Sequence, residues 1–422
     1  MTRLRLLAAV GFIAASIVGF APSSAGAAAT PPPVGHVFII VLENKDFAAT
    51  WDAAGSPYLA QDVRAQGNLL TQYYGTSHAS LGNYITMVSG QPANVTTQAD
   101  CLVYADFVGA VVGGIATGQG CIYPSDVPTI ANQLETAGRT WRGYMEDMSG
   151  PCQHVAPNSP DNTQTATSAS QYAARHNPFV YFHSIIDTPS CQNNDVPLSE
   201  LTTDLSAVAS TPNLSFITPD LCRDGHDATC VDGGPGGYDG IDAFLREWVP
   251  KILASPAYQQ DGLLLITFDE SGSDNTACCN EPTGPNTPRP GINGPGGGRV
   301  GTLAISPFVQ PGTTSDVPYN HYSLLRSLED LFGLAHLGYA AQDGLAPFGA
   351  DVYNLGAAAP QSTTTTTAPP SGPAVTVASS GGTLPKTGGG PVAWLGALAT
   401  AAGLLALGAR GAARRFRSGA GA

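Results

Sequence analysis

The stretch GLLLITFDES, residues 262–271, decides the fold of this chain. Four apolar residues, 263–266, run through Thr267 and Phe268 into two adjacent acids, Asp269 and Glu270. An unbroken apolar run of this kind is typical of a strand buried on both faces, as in a parallel sheet. The two acids then have two interpretations: they are a solvated strand end, or they hold a ligand at the carboxyl edge of the sheet.

Other segments repeat the strand pattern and alternate with helix-like segments. Strands are predicted at 36–44, 214–220, 263–270 and 300–309, and helices at 127–138, 242–255 and 321–334. Buried strands that alternate with helices indicate an α/β fold, with a central, mostly parallel sheet flanked by helices. Ligands of such sheets bind beyond the carboxyl ends of the strands.

Side chains with oxygen atoms follow two of the predicted strands. Glu43 and Asn44 end the first strand, as Asp269 and Glu270 end the third. Carboxylate and amide oxygens suit hard cations such as Mg²⁺, Ca²⁺ and Mn²⁺. The four groups form a cation site if they meet at one edge of the sheet, and they are solvated strand ends if they do not.

Ser80 lies where a helix is predicted to begin, in the segment TSHASLGNYITMVSG (76–90). The N-terminus of a helix favours negative charge, which suits a serine that attacks phosphate. The alternative is a plain helix-capping serine.

Ionisable residues gather in two further places. Asp220, Asp224, His226 and Asp227 lie at the end of the predicted strand at 214–220 and just after it, and His321 lies before the last helix.

Seven ordered motifs between residue 35 and about residue 355 make the chain similar to the bacterial phosphoesterase family. That family contains acid phosphatases and phospholipase C-type enzymes, and the resemblance implies an alkaline-phosphatase-like sandwich. The motifs are HVFIIVLENKDF (36–47), SHASLGNYITMVSG (77–90), HNPFVYFHSI (176–185), FITPDLCRDGHD (216–227), DAFLREWVPKILASPAY (242–258), LLLITFDES (263–271), and GGRVGTLAISPFVQPGT (297–313) with YNHYSLLRSLEDLFGL (319–334).

The resemblance implies one divalent metal ion, with Mg, Ca, Mn and Fe as alternatives for its identity. The metal ligands that it implies are Glu43, Asn44, Ser80, Asp269 and Glu270. Two residues of the turn before the helix depart from the family pattern, because Ala79 and Gly82 stand where prolines are usual. These departures loosen the turn and remove no reacting group.

The catalytic roles also come from the resemblance. Ser80 is the implied nucleophile, and it forms a phosphoserine intermediate. His226 and His321 face the phosphoryl group with Asn44, and one of the histidines acts as general acid for the leaving alcohol. Asp227 orients His226 or joins the phosphate site. Cationic histidines in place of a second metal ion lead us to expect an acidic pH optimum.

The expected substrate is a small phosphorylated molecule or a lipid head group. Resemblance to short secreted acid phosphatases favours phosphomonoesters, including phosphoinositide head groups. A phospholipase C-type phosphodiesterase is the alternative, and a catalytically inactive surface adhesin is a more remote one. The conjunction of Glu43, Asn44, Ser80, Asp269 and Glu270 argues against the adhesin, because a binding module does not need all five.

Both ends of the chain have the composition of processing signals. At the N-terminus, Arg3 and Arg5 precede an apolar run and small residues, which predicts a signal peptide at 1–29; a retained anchor helix is the alternative. The phosphoesterase domain is then expected at 30–356. A Thr/Pro-rich segment follows at 357–383, and its composition predicts a linker without a core.

The C-terminus resembles the sortase sorting signal of Gram-positive surface proteins. LPKTG (384–388) precedes an apolar, membrane-spanning stretch and an Arg-rich tail, which together occupy 389–422. The resemblance implies that sortase cuts after Thr387 and joins it to peptidoglycan, so that the exported domain is anchored to the cell wall. An ordinary tail anchor is the alternative.

The acidic composition excludes nucleic acid as a partner. Six of the 18 basic residues and none of the 32 acidic ones lie in the two predicted processing segments, so the remaining chain has a charge of about −20. Phosphate backbones require Lys and Arg instead.

Eight cysteines in the exported part predict disulfides rather than a zinc site. Proximity favours three pairs, Cys101–Cys121, Cys152–Cys191 and Cys222–Cys230. We expect the adjacent Cys278 and Cys279 not to pair with each other, since such a bond demands unusual backbone geometry.

Overall fold

The computed structural model describes residues 31–52 and 55–354. The predicted signal peptide, linker, sorting motif and apolar C-terminal stretch therefore lie outside the described residues. In the part that is described, no helix is both long enough and apolar enough to cross a membrane. One continuous core of buried apolar side chains runs through the described residues, which belong to a single compact unit.

The described residues contain the following strands and helices. The strands are β1 (His36–Leu42), β2 (Asn68–Leu70), β3 (Tyr73–Tyr74), β4 (Val103–Tyr104), β5 (Val108–Val112), β6 (Ile115–Gln119), β7 (Trp141–Met145), β8 (Ser159–Pro160), β9 (Asp195–Pro197), β10 (Leu214–Thr218), β11 (Gly262–Phe268), β12 (Thr302–Ile305), β13 (Thr313–Ser315) and β14 (Tyr319–Asn320). The helices are α1 (Ser80–Ser89), α2 (Ile130–Thr136), α3 (His183–Ile186), α4 (Pro189–Asn194), α5 (Leu201–Asp204), α6 (Gly237–Leu253), α7 (Pro256–Asp261) and α8 (His321–Phe332).

Eight of these strands form the central sheet, in the order β13-β2-β12-β11-β1-β10-β7-β9. In its middle, β1 pairs in parallel with both β11 and β10, and every residue of β1 and β11 is buried. Apolar runs without alternation form strands of this kind because both of their faces meet the core. The predicted α/β fold with a mostly parallel sheet is confirmed.

The strand predicted at 300–309 differs from the others in length and direction. It is β12, only four residues long, and it runs antiparallel to both β11 and β2. A parallel return requires a crossover connection, usually a helix. The chain between β11 and β12 contains no helix, so it returns antiparallel and leaves a long loop above the edge of the sheet.

Three of the predicted disulfides are confirmed: Cys101–Cys121, Cys152–Cys191 and Cys222–Cys230. The expectation for the fourth pair is wrong, because Cys278 and Cys279 are bonded to each other. These two residues lie in the loop between β11 and β12, outside any helix or strand, and Cys279 has the left-handed φ of 66°. Backbone of this kind brings together adjacent side chains that diverge in a regular strand.

Candidate active site

Two acids from neighbouring strands meet at the carboxyl edge of the sheet. Glu43 follows β1 and Asp269 follows β11, and the last residues of these strands, Leu42 and Phe268, are register partners. Both carboxylates are fully buried. The backbone N–H of Asn44 donates to Asp269 Oδ1 at 3.1 Å, which ties the two strand ends together. The pairing of β1 with β11 therefore brings Glu43 and Asp269 together at one edge of the sheet, as the cation-site interpretation requires.

Ser80 is the first residue of α1, and its hydroxyl lies against Glu43. Ser80 Oγ donates to Glu43 Oε2 at 2.9 Å, and Tyr84, one turn later, donates to Glu43 Oε1 at 2.6 Å. All three side chains are buried. Helix α1 thus fixes the orientation of Glu43 and places the hydroxyl of Ser80 at the strand edge.

The turn before α1 is held by the side chain of Asn83. Its Oδ1 accepts from the backbone N–H groups of Thr76 and Ser77 at 2.9 Å each. Gly82 belongs in this packing, because a Cβ there would lie 2.5 Å from Ser77 Oγ and 3.1 Å from the Ala93 Cβ. The turn that presents Ser80 is therefore packed too closely for a larger residue at position 82, which accounts for one departure from the family pattern.

Glu270 is held by groups of the Ser80 turn. Its Oε2 accepts from Asn83 Nδ2 at 3.1 Å, and its Oε1 lies 3.0 Å from His78 Nδ1. Burial lowers the pKa of His78, but the hydrogen bond to Glu270 and the charge of that carboxylate outweigh it and raise the pKa to about 9. The structure thus places Glu270 in an ion pair beside the other predicted ligands.

His176 and Asp224 join the site, although the sequence did not lead us to assign them roles. His176 Nε2 lies 3.4 Å from Glu43 Oε2, and His176 Nδ1 lies 3.1 Å from Asp224 Oδ2. All three side chains are buried, and each offers a ligand atom within 4.8 Å of the others. The sequence did contain signals for both residues. His176 opens the motif HNPF, and Asp224 lies in the acidic loop after β10.

His226 and Asp227 form a pair at the more open side of the site. His226 Nδ1 lies 2.8 Å from Asp227 Oδ1, and His226 Nε2 lies 3.3 Å from Nη2 of the buried Arg175. A guanidinium can only donate, so the ring must carry its proton on Nδ1 and accept at Nε2. The His226 ring centre is 6.1 Å from that of His176. Arg175 is a further site residue that sequence reasoning missed.

His321 supports the site from the interior of the protein. The fully buried ring has Nε2 2.5 Å from the backbone oxygen of Asp269 and Nδ1 2.9 Å from the Tyr73 hydroxyl. Burial lowers the pKa of His321 to about 4, so the neutral ring donates to Asp269 and accepts from Tyr73. Both ring nitrogens are engaged by protein groups, and the contact with Asp269 is through its backbone.

The electrostatics of the site favour a bound cation. Burial raises the pKa of Glu43 well above its usual range, and the charges of Asp269 and Asp224 raise it further. Burial likewise raises the pKa values of Asp224 and Asp269. In contrast, the pKa of His176 is lowered by burial and by Arg175 and His226, so that its ring is a neutral ligand. Carboxylates crowded in this way are stabilised by a positive ion among them.

The residues present fit a divalent metal ion. Several buried atoms of the site lack a hydrogen-bond partner among the described residues, although an unmet polar group is costly to bury. These atoms are Asn44 Oδ1, Asp224 Oδ2, Asp269 Oδ2 and both ring nitrogens of His176. A set of carboxylates, one amide and one imidazole is typical of divalent metal sites.

Comparison with known proteins finds one family and several phosphatases that are similar to this chain. The model of the Phosphoesterase family matches residues 49–335. A phosphatidylinositol-3-phosphatase of Mycobacterium tuberculosis is 27% identical over 345 residues, which cover 81% of this chain and 92% of that protein. A phosphate-repressible acid phosphatase of Penicillium chrysogenum is 29% identical over 304 residues, and a probable acid phosphatase of Kluyveromyces lactis is 27% identical over 306 residues. Each of these two matches covers 71% of this chain and 59% of the fungal protein.

A solved structure of a protein in the alkaline phosphatase superfamily from Vibrio parahaemolyticus is also similar. It is 12% identical, with a TM-score of 0.43, and the match covers 73% of this chain and 69% of that chain.

Proposed function

Because the chain belongs to the phosphoesterase family and is a hydrolase of phosphoric ester bonds, we propose that it hydrolyses phosphomonoesters with Ser80 as its nucleophile. The observation that carries this proposal is the hydrogen bond of 2.9 Å from Ser80 Oγ to the buried Glu43 at the start of α1. Similarity to acid phosphatases and to a phosphatidylinositol-3-phosphatase supports monoesters, including phosphoinositide head groups, as substrates. A phospholipase C-type diesterase is the alternative.

The reaction begins with the Ser80 oxygen attacking phosphorus in line with the leaving alcohol, while its proton passes to Glu43 and returns when the phosphoserine is later hydrolysed. The Glu43 carboxylate holds the hydroxyl in place, and Tyr84 fixes that carboxylate from the other side. Glu43, Asn44, Asp224, Asp269 and His176 would hold a divalent metal ion, which would stabilise the negative charge that develops in the reaction.

Arg175 and His226 receive the phosphoryl group. The Arg175 guanidinium is buried and already oriented toward His226, which makes it a preorganised donor for phosphate oxygens. Once phosphate oxygens engage the Arg175 donors, His226 Nε2 takes up a proton from solvent and gives it to the leaving alcohol; it later accepts a proton from the attacking water, while Asp227 holds Nδ1. The His226 side chain is about one-third exposed, so the leaving alcohol can depart toward solvent. In this proposal His321 supports the Asp269 backbone instead of facing phosphate.

Replacement of the nucleophile tests this assignment. The Ser80→Ala variant should lose roughly a thousandfold or more in kcat for p-nitrophenyl phosphate, and it should form no acid-stable phosphoprotein. Ser77→Ala is the matched control, since Ser77 lies in the same turn and bonds only backbone oxygens of His78 and Pro290. Undiminished hydrolysis by Ser80→Ala would falsify the assignment and turn attention to Thr76 and Ser77.

A comparison of substrates decides between the two reaction types. A monoesterase hydrolyses p-nitrophenyl phosphate much faster than bis(p-nitrophenyl) phosphate, because the second ester group occupies the position of a phosphate oxygen that Arg175 binds. The opposite preference would establish the diesterase.

We also propose that the chain is exported and attached to peptidoglycan by sortase through Thr387, which leaves the phosphoesterase domain on a Gram-positive cell surface. The LPKTG motif with its flanking segments supports this, and so do four disulfides in the described residues. A Thr387→Ala chain should move from the cell-wall fraction to the membrane fraction or the medium. Wall attachment of that variant would contradict the proposal.

A further inference from the structure

The hairpin β5–β6 projects apolar side chains into solvent. Val108 is 78% exposed and Val112 is 66% exposed. At the tip, a Cβ added to Gly113 or Gly114 would meet no atom within 4 Å. No residue from Phe107 to Tyr123 is charged, although the whole chain has a formal charge of −14. Exposed valines on a neutral, projecting hairpin indicate an interaction surface.

The apolar surface continues toward the catalytic serine. Leu102 and Val103 are 59% and 46% exposed, and the Cys101–Cys121 disulfide joins their segment to the base of the hairpin. Asp100, the residue before Cys101, accepts a hydrogen bond of 3.0 Å from the backbone N–H of Leu81. Leu81 follows Ser80 in α1. We name Leu102, Val103, Val108 and Val112 the apolar rim. One end of this rim therefore lies beside the proposed active site.

The hairpin is firmly attached to the protein. The Gln91 side chain donates to the oxygen of Gly114 and accepts from the N–H of Ala116, both at 2.8 Å. Asn286 accepts from the N–H of Gly118 at 2.6 Å and donates to the oxygen of Ala116 at 2.9 Å. The valines are thus held in the exposed position by hydrogen bonds from two other segments.

The exposure pattern favours a fluid apolar medium over a packed protein face. Successive residues of a strand point to opposite faces, and Val108, Gly109 and Ala110 are all exposed. A flat protein surface covers one face of a hairpin, whereas hydrocarbon surrounds both. An exposed basic residue near the hairpin also suits an anionic lipid surface. Arg289 lies three residues from the anchoring Asn286.

We propose that the apolar rim docks the enzyme on a lipid bilayer, with the hairpin tip among the acyl chains and Arg289 at the level of the anionic head groups. The inference rests on the proposed function, since it gives that function its substrate class: a phosphomonoester on a membrane-embedded lipid. Neutral valines enter hydrocarbon at no electrostatic cost, and the rest of the acidic surface stays in water.

Vesicle sedimentation tests the proposal on residues 30–387, which keep the whole described core and lack both the predicted signal peptide and the predicted apolar C-terminal stretch. The wild type should sediment with phosphatidylcholine vesicles that contain phosphatidylinositol 3-phosphate. The double change Val108→Ser and Val112→Ser should lower the bound fraction at least about fivefold, because two large apolar contacts are lost. Its rate on the vesicle-embedded lipid should fall in parallel, with p-nitrophenyl phosphate hydrolysis unchanged.

Val317→Ser is the matched control, because Val317 is exposed (36%) and lies far along the chain from the hairpin. It should leave vesicle binding and both rates unchanged. The proposal is overturned if the wild type does not sediment, if the double variant binds like the wild type, or if light scattering shows that the valines hold a dimer instead. A wild type that binds vesicles and hydrolyses no monoester would refute the proposed function and leave the docking surface standing.

Discussion

At the scale of single residues, Glu43 is the point where the proposed nucleophile and the proposed metal site meet. One of its oxygens accepts from Ser80 and lies near His176, and the other accepts from Tyr84. A carboxylate with this burial and these neighbours is stable only when its charge is compensated. The contacts of Glu43 therefore predict that metal binding and the position of Ser80 depend on each other.

The contribution of His176 to metal binding can be measured directly. The His176→Ala variant should bind Mn²⁺ at least about tenfold more weakly than the wild type, since a metal site usually loses this much when a ligand or its support is removed. Titration calorimetry of the metal-depleted protein measures the change. His183→Ala is the control, because His183 is partly exposed and pairs with Asp106 and Asp187 outside the site. Equal affinities of His176→Ala and the wild type would exclude His176 as a ligand.

Arg175 is expected to contribute to phosphate binding. The Arg175→Met variant should bind inorganic phosphate, as a competitive inhibitor, about tenfold or more weakly, because charge-assisted hydrogen bonds contribute about 1.5–3 kcal/mol. Arg175→Lys should recover part of the affinity, since it restores the charge without the fork of donors. An inhibition constant that stays at the wild-type value in Arg175→Met would remove the residue from the phosphate site.

Sequence reasoning predicted the residues at strand ends better than the residues in loops. Glu43 and Asp269 directly follow apolar runs, so the pattern placed each at the end of a strand, and the pairing of β1 with β11 brings the two together. Asp224 reaches the same place from a loop and His176 from a single 3-10 turn (Ala174–His176); the course of both segments depends on tertiary packing, and no periodicity marks them. His321 was predicted to face phosphate, but the sequence does not reveal that Tyr73 and the Asp269 backbone occupy both of its ring nitrogens.

At the scale of elements, helix α1 delivers Ser80 and is closed at its far end by Gly90. Gly90 has the left-handed φ of 68° and donates its N–H to the oxygen of Thr86. A Cβ there would also lie 2.4 Å from the oxygen of Leu337. The helix end therefore depends on glycine for its backbone conformation and for the close approach of another segment.

Gly90→Ala should consequently destabilise the protein by about 2–4 kcal/mol, in thermal or urea unfolding, through backbone strain and a clash with a backbone oxygen. Gly138→Ala separates the two effects, because Gly138 has a similar φ of 69° with no atom within 4 Å of an added Cβ. It should cost only about 1 kcal/mol, the backbone part alone. Equal losses in the two variants would show that the contact with Leu337 contributes nothing.

The directions of the elements were less predictable than their existence. All four predicted strands are present, as are the helices predicted at 127–138, 242–255 and 321–334 and the helix predicted to begin near Ser80. The antiparallel direction of β12 follows from the connection before it, which is a long loop, and the apolar run itself contains no signal of direction. The pairing of Cys278 with Cys279 was likewise hidden, since it depends on the local backbone at Cys279.

At the scale of the whole molecule, buried acids make the free energy of unfolding depend on pH. Burial raises the pKa of Asp195 to about 7, against an ordinary value of 3.8, and Asn177 offers it a single hydrogen bond. The folded protein keeps this proton where the unfolded chain has lost it. The contribution of Asp195 to stability is therefore greatest at low pH and falls as the pH rises from about 4 to about 7.

The Asp195→Asn variant should lose this part of the pH dependence. For the wild type, Asp195 contributes a slope of up to about 1.4 kcal/mol per pH unit in that window, which the amide does not have. Urea unfolding at pH 5 and pH 8 measures the difference between the two proteins. Parallel pH profiles for the wild type and Asp195→Asn would show that Asp195 ionises normally in the fold.

The Cys101–Cys121 disulfide determines how proteolysis of the projecting hairpin can be detected. The hairpin lies entirely between the two bonded residues, which are 20 positions apart. A protease that cuts at the glycine-rich tip therefore produces two fragments that stay covalently joined. A nicked molecule has the mass of an intact one until it is reduced, so electrophoresis without reductant will not reveal the cut.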